Sequence, residues 1–194
     1  MYLATTDEGN ALLERDPLAL LIGMLLDQQI PMEKAFTSPS VLAERMGSVT
    51  LDAREIAACD PERFEEIFRQ TPALHRFPAA MAKRVQALAE ILVADYDGNA
   101  QRVWAGVRDG DELVARIGTL PGFGDQKARI FAALLGKQFG IQPPGWRAAA
   151  GAYGEEGSQR SVADVTDAKS LQAVRATKQA AKQALKQAAM QPAD

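Results

Sequence analysis

Apolar residues recur along the chain at helical spacing, and no segment sustains the two-residue alternation of a strand. Leu18, Leu21, Ile22, Leu25 and Leu26 share one broad face, and Asp16-Pro17 ahead of them supplies an N-cap followed by proline in the first turn. The pattern predicts a helix buried on most sides that ends at Asp27-Gln28-Gln29-Ile30-Pro31, where Pro31 forces a break. A short helix around Ala11 to Glu14 precedes it. From Met32 to Met46 the pattern gives two short helices separated by Thr37-Ser38-Pro39-Ser40. Asp52 and Asp60-Pro61 mark the starts of helices over Ala53 to Ala58 and Glu62 to Arg69. Met81, Val85, Leu88, Ile91 and Leu92 line one face of a long helix over roughly 79–95, closed by the turn chemistry of Tyr96-Asp97-Gly98-Asn99. A last helix runs from about Ala168 to Met190, capped by Thr166 or Asp167. The fold class is all-α.

One interruption differs from the rest. Leu113, Ile117 and Leu120 keep helical spacing up to Pro121-Gly122-Phe123-Gly124, and Ala128, Phe131, Leu134 and Leu135 resume it, so two short helices meet in a tight hairpin. Gly122 and Gly124 permit positive φ and leave the turn's backbone uncovered. Bare N–H groups at the start of the second helix, with the positive end of its dipole behind them, suit a phosphate oxygen. Any helical hairpin turns with proline and glycine. Here an apolar residue also precedes the proline, another lies between the glycines, and small residues follow. Two adjacent glutamines, Gln28 and Gln29, at the end of an apolar helix are odd for a core and suit a polar tip.

Composition excludes several classes. A hydrophobic share of 47% with 24% charge in 194 residues is ordinary globular composition. A single cysteine, Cys59, builds neither a disulfide framework nor a cysteine-ligated iron–sulfur cluster, and reads as a small core residue. His75 is the only histidine, which excludes histidine-ligated metal sites and serine–histidine or cysteine–histidine catalysis. It reads as a local hydrogen-bonding residue in the loop before the long helix. The apolar run Leu18 to Leu26 is too short for a bilayer, and no basic region followed by an apolar one opens the chain. The expectation is a cytoplasmic monomer. Net charge is −3, but residues from Leu120 onward carry 10 Lys/Arg against 6 Asp/Glu. A polyanion-facing surface therefore belongs to the C-terminal part, where Lys178, Lys182 and Lys186 recur every four residues with Arg175 close by.

The hairpin and the glutamine tip together resemble the HhH-GPD (helix-hairpin-helix) base-excision-repair DNA glycosylases, in a member without an iron–sulfur cluster. The likeness covers Leu18 to about Leu135. It implies a two-lobed helical fold: a core lobe over 17–137, with the helix-hairpin-helix at about 112–135, and a second lobe built from 1–16 and 138–194. Double-stranded DNA with a base lesion is the implied partner, crossing the cleft between the lobes. Gly122, Gly124, Lys127, Gln28 and Gln29 are its implied contacts, with Gln29 filling the space left by an extruded nucleotide. No cofactor is implied, and the hairpin leaves room for a monovalent cation.

The departures bear on chemistry. Strand-cleaving members carry a nucleophilic lysine just after the second hairpin glycine; here that position is Gln126, and Lys127 follows, turned about 100° around the helix. The family's catalytic aspartate follows the second hairpin helix, where this chain has Gln142-Pro143-Pro144-Gly145. Asp164, in Ser161-Val162-Ala163-Asp164-Val165, is the best substitute and Asp167 the second choice, the alternative for either being a cap on the last helix. Trp146 and Tyr153 are candidates to line a base pocket. The implied activity is hydrolysis of the N-glycosidic bond of a damaged or mismatched base, without strand cleavage. A catalytically silent DNA-binding or lesion-sensing protein is the alternative, and a helical interaction protein with no nucleic-acid role stands behind both.

Overall fold

Helix starts follow the capping residues that the sequence offers. The computed structural model of the chain describes residues 1–190, without the side chains of 185, 186 and 188–190. Among the described residues the elements are α1 (Asp7–Arg15), α2 (Pro17–Leu26), α3 (Met32–Arg45), α4 (Ala53–Ala58), α5 (Pro61–Arg69), α6 (Pro78–Tyr96), α7 (Gly110–Gly118), α8 (Asp125–Gln138), α9 (Trp146–Ala150) and α10 (Ala168–Met190), with short 3₁₀ turns at Ala100–Val103, Gly151–Tyr153 and Val162–Asp164 and no strand. Asp52, Asp60 and Asp109 each accept a backbone N–H at the start of the following helix. Asp16 does more: one oxygen accepts from Leu18 and Ala19, and the other from the Leu51 N–H at 2.8 Å, tying the start of α2 to a distant loop.

Every residue of α2 from Leu18 to Leu26 is buried. A helix apolar on all sides must be covered on all sides, and α1, α3, α6 and the Ala100–Val103 turn cover this one. Around it α4 and α5 pack on α6, while α7, α8 and α9 form a second group. One continuous hydrophobic cluster reaches from Leu3 to Val174. Among the described residues no helix is long and apolar enough to cross a membrane.

Two expectations change. Residues 32–45 form one helix, with Pro39 inside it. The polar run that reads as an interruption is satisfied within the helix, where the Thr37 and Ser38 hydroxyls donate to the Glu33 and Lys34 carbonyls one turn back, at 2.7 and 2.8 Å. Arg147 to Gln159 is small, polar and Gly-rich and reads as a surface excursion, yet residues 146–153 form α9 and a 3₁₀ turn, with Ala149 and Ala150 buried against the α7–α8 group.

Candidate functional site

The hairpin forms as its spacing predicts. Leu120 and Phe123 are buried, and the Phe123 ring meets Phe131 of α8 edge-on at 5.7 Å, so the apolar residue between the glycines plugs the turn into the core. The two glycines differ from each other, and only Gly124 departs from the positive φ expected of them. Gly122 holds φ +83 with the Leu25 side chain against it, whereas Gly124 has an extended backbone (φ −74, ψ 173) as N-cap of α8. A Cβ built on Gly124 meets nothing within 4 Å. The space in front of the first turn of α8 is open, as an approaching phosphate requires. Asp125, the first residue of that turn, carries its charge against Arg129, 3.0 Å away.

The hairpin leans on the end of α2, and there the glutamine tip begins. Gln28 is tethered: its amide N–H donates to the Leu25 carbonyl at 2.8 Å, its Oε1 accepts from Arg84 Nη1 at 2.9 Å, and its own carbonyl accepts from His75 Nε2 at 2.9 Å. Gln29 is exposed, in the left-handed region at φ +57, and its side chain has no hydrogen bond among the described residues. A glutamine adopts that conformation at a cost of roughly 1 kcal/mol. Of the two, Gln29 is the one left to project.

Beneath the tip lies a cavity of about 630 Å³, within the range that holds a small ligand. The tip and α8 supply Asp27, Gln126 and Lys127; Tyr153 and Arg160 stand on another side, and Lys178 and Lys182 of α10 close a third. Lys127, turned about 100° from the position of the strand-cleaving lysine, still borders the cavity. The end of α2 packs on the first turn of α8, so both Gln126 and Lys127 border the cavity. Lys127 Nζ donates to the Leu25 carbonyl at 3.0 Å. Burial lowers its pKa to about 8, with Asp27 opposing the shift and Arg84 adding to it. Gln126 Nε2 donates to the Tyr153 hydroxyl oxygen at 2.8 Å, which leaves the phenol proton free.

Among the described residues that line the cavity, Asp27 is the only carboxylate. Burial raises its pKa above the usual 3.8, against the pull of Lys178 and Lys127, while Glu33 adds to the rise. Its carboxylate accepts no hydrogen bond among the described residues. Asp27 stands first in the predicted tip and is not among the candidate residues that the sequence offers. An acid directly before two glutamines, at the end of an otherwise apolar helix, was the available signal.

Asp164 does not border this cavity. One oxygen meets Lys137 Nζ at 2.5 Å, and the other accepts the N–H groups of Arg160 and Ser161 at 2.9 and 3.1 Å, completing a capping box with Ser161 around the Val162–Asp164 turn. Its side chain is 3% exposed. Asp167 caps α10, accepting the Ser170 N–H at 2.7 Å, and hydrogen bonds from Ser170 lower its pKa. The alternative left open for both aspartates is therefore the geometry found, with Asp164 capping the short turn ahead of the last helix.

Trp146 is likewise placed in packing. It is 7% exposed, and a Cβ on Gly136 would come within 2.4 Å of its ring, so the indole fills the join of α9 and α8 and does not reach the cavity. Tyr153 does reach it. On α10, Lys178 and Lys182 face the cavity and Arg175 pairs with Glu33 of α3, while the Lys186 side chain lies outside the described residues. Among the described residues no three His, Cys, Asp or Glu side chains gather as a metal site.

Comparison with known proteins bears on the same segments. No curated protein and no solved structure matches the chain. The family model described as HhH-GPD superfamily base excision DNA repair protein matches residues 22–193, a span that holds the tip, the hairpin and every residue lining the cavity. With nearly the whole chain matched, and an all-helical fold carrying the hairpin, the protein belongs to the HhH-GPD superfamily of base excision DNA repair proteins.

Proposed function

We propose that the protein is a DNA glycosylase that hydrolyses the N-glycosidic bond of a damaged or mismatched base in duplex DNA, with Asp27 as its carboxylate. The observation that carries this is the cavity in which one unpartnered aspartate faces lysines directly beneath an exposed glutamine tip and beside an open hairpin. The hairpin N–H groups hold the DNA backbone near Gly124, and Gln29 enters the stack as the target nucleotide turns out. Within the cavity the ionised Asp27 offsets the positive charge that develops on the deoxyribose and orients water towards C1′. The Tyr153 hydroxyl and the Gln126 amide oxygen offer a donor and an acceptor to the edge of the base. Lys127, Lys178, Lys182 and Arg160 surround the site with the charge that the phosphates of the extruded nucleotide require.

The reaction stops at base release. The Lys127 amine is engaged by the Leu25 carbonyl, at the C-terminal end of α2 where a cation is favoured. Borohydride added during turnover on abasic duplex should trap no covalent complex; an adduct at Lys127 would make the enzyme strand-cleaving by way of a Schiff base.

A second reading, a lesion binder without base release, is favoured by the engagement of both Asp164 oxygens, one by Lys137 and the other in a cap. A panel of duplex oligonucleotides carrying single lesions, scored for binding and for released base, separates the two. Release from at least one lesion supports the glycosylase, and lesion-selective binding without release from any supports the sensor.

A further inference from the structure

His75 is 1% exposed, and base release as described makes no use of it. Its ring stands between the loop that precedes α6 and the end of α2. The Phe77 N–H donates to Nδ1 at 3.0 Å, and Nε2 lies 2.9 Å from the Gln28 carbonyl oxygen. A backbone N–H only donates and a carbonyl only accepts, so the ring that fits both is neutral with its proton on Nε2. The loop itself is fixed one residue earlier, where the buried Ser38 hydroxyl shares its one proton between the Lys34 and Leu74 carbonyls, each 2.8 Å away. The imidazole is thus a strut from an anchored loop to the carbonyl directly before Gln29, whose left-handed backbone needs support from its surroundings.

We infer that His75 is a positioning residue: its neutral, Nε2-protonated ring, anchored at Nδ1 by the Phe77 N–H, holds the Gln28 carbonyl so that Gln29 projects into a lesion-bearing duplex, and uptake of a second proton breaks the Phe77 anchor and displaces the ring from that position. The inference rests on Gln29 acting as the wedge, as proposed above. A second proton would set an N–H on Nδ1 against the N–H of Phe77, two donors facing each other in a place closed to water. The charges around the ring act in the same direction. Lys34 of α3 and Lys127 of α8 both bear on it, Arg76 adjoins it in its own loop, and Arg84 of α6 is reached through the Gln28 side chain. Asp27, on the tip, has Lys178 and Lys127 as its own counter-charges in the cavity. Burial lowers the ring's pKa below 6.5, hydrogen bonds to the Gln28 and Leu26 carbonyls opposing it in part. On falling pH the unfolded chain takes up the proton first, so this contribution to stability is complete above pH 6.5 and is lost below it.

The test uses the full chain and a duplex containing a tetrahydrofuran abasic analogue, with affinity measured relative to the intact duplex at about pH 8 and about pH 5. Nitrogen-resolved imidazole spectra of the free protein report a single histidine. The ring is expected as the Nε2–H tautomer titrating below 6.5, and the preference for the abasic duplex should fall about tenfold at the lower pH. His75→Gln keeps a donor towards Gln28 and cannot take up a proton, so its preference should persist at both pH values. His75→Asn keeps the acceptor for Phe77 but gives up that donor, and should lose the preference about tenfold at both. An Nδ1–H tautomer, a ring titrating at or above 6.5, or an undiminished acid loss in His75→Gln overturns the proposal while the wedge stands. A wild-type protein with no preference at any pH removes the wedge and the proposal together.

Discussion

Helix α8 carries two lysines that each face an aspartate, and the two pairs have opposite fates. At its C-terminal end Lys137 closes on Asp164 at 2.5 Å, in a side-chain setting 16% and 3% exposed, and two backbone N–H groups complete the carboxylate's partners. At its N-terminal end Lys127 turns to a carbonyl, and Asp27 keeps a raised pKa with no hydrogen bond among the described residues. The first pair meets the requirement that buried charge be paired and hydrogen-bonded. The second leaves that requirement unmet in a cavity. Charge held ready and unsatisfied is what a catalytic site needs and a structural one avoids.

The sharpest way to break this contrast is Asp27→Asn. Base release should fall by about a hundredfold or more, while abasic-duplex affinity is retained. Stability should move the other way: with the folded pKa above 3.8, the folded chain binds more protons than the unfolded one in the window between the two values, so ionising Asp27 costs stability as pH rises through it. Urea titration at neutral pH should find Asp27→Asn more stable than wild type, and an unchanged or lower midpoint would remove the strain assigned to this site. By the same sign, wild-type base release should fall on acidification at a pH above that of an ordinary aspartate.

Asp164→Ala probes the closed pair. Removing a carboxylate that satisfies Lys137 and two N–H groups should cost about 3 kcal/mol in urea denaturation, with the remaining folded protein still releasing base. Loss of release at full stability would return catalysis to Asp164. A smaller effect separates clamp from scaffold. Gly124→Ala meets no protein atom and requires no positive φ, so its melting curve should match wild type while affinity for every duplex sequence falls about fivefold; unchanged affinity at low salt would dismiss the phosphate contact. The smallest effect is a titration: one lysine amine should titrate near 8, against the ordinary 10.5, and should vanish in Lys127→Met.

Much of the fold was legible because its determinants are local. Asp16, Asp52 and Asp60 announce helix starts that the structure keeps, and the apolar face of the long helix predicts its burial. The hairpin was legible for the same reason, down to the buried Phe123. Lineage followed from hairpin and tip, and the family match agrees. The site was less legible because its residues meet only through tertiary packing. Asp27 is one acid among 25 Asp and Glu until α8 and α10 close around it. The cap at Asp164 is legible in serine followed three residues later by an acid, a capping-box spacing, but the same segment also has the character of a catalytic one, small and apolar residues delivering one aspartate just before a helix. For Trp146, the glycine at 136 that makes room for the indole lies ten residues away, and the two positions share no periodic pattern.

The hydrogen bond from Lys127 to the Leu25 carbonyl joins positions 102 residues apart in the chain. Closing so long a loop carries a large entropic cost before any contact repays it, and contacts of that span slow folding. α2 and the hairpin each form from neighbouring residues, but neither contains the cavity, which exists only once both have docked. On the proposed function, a nascent or partly unfolded chain therefore carries the phosphate-binding turn without the base-processing site, and the appearance of base release during refolding would time the last long-range closure of the molecule.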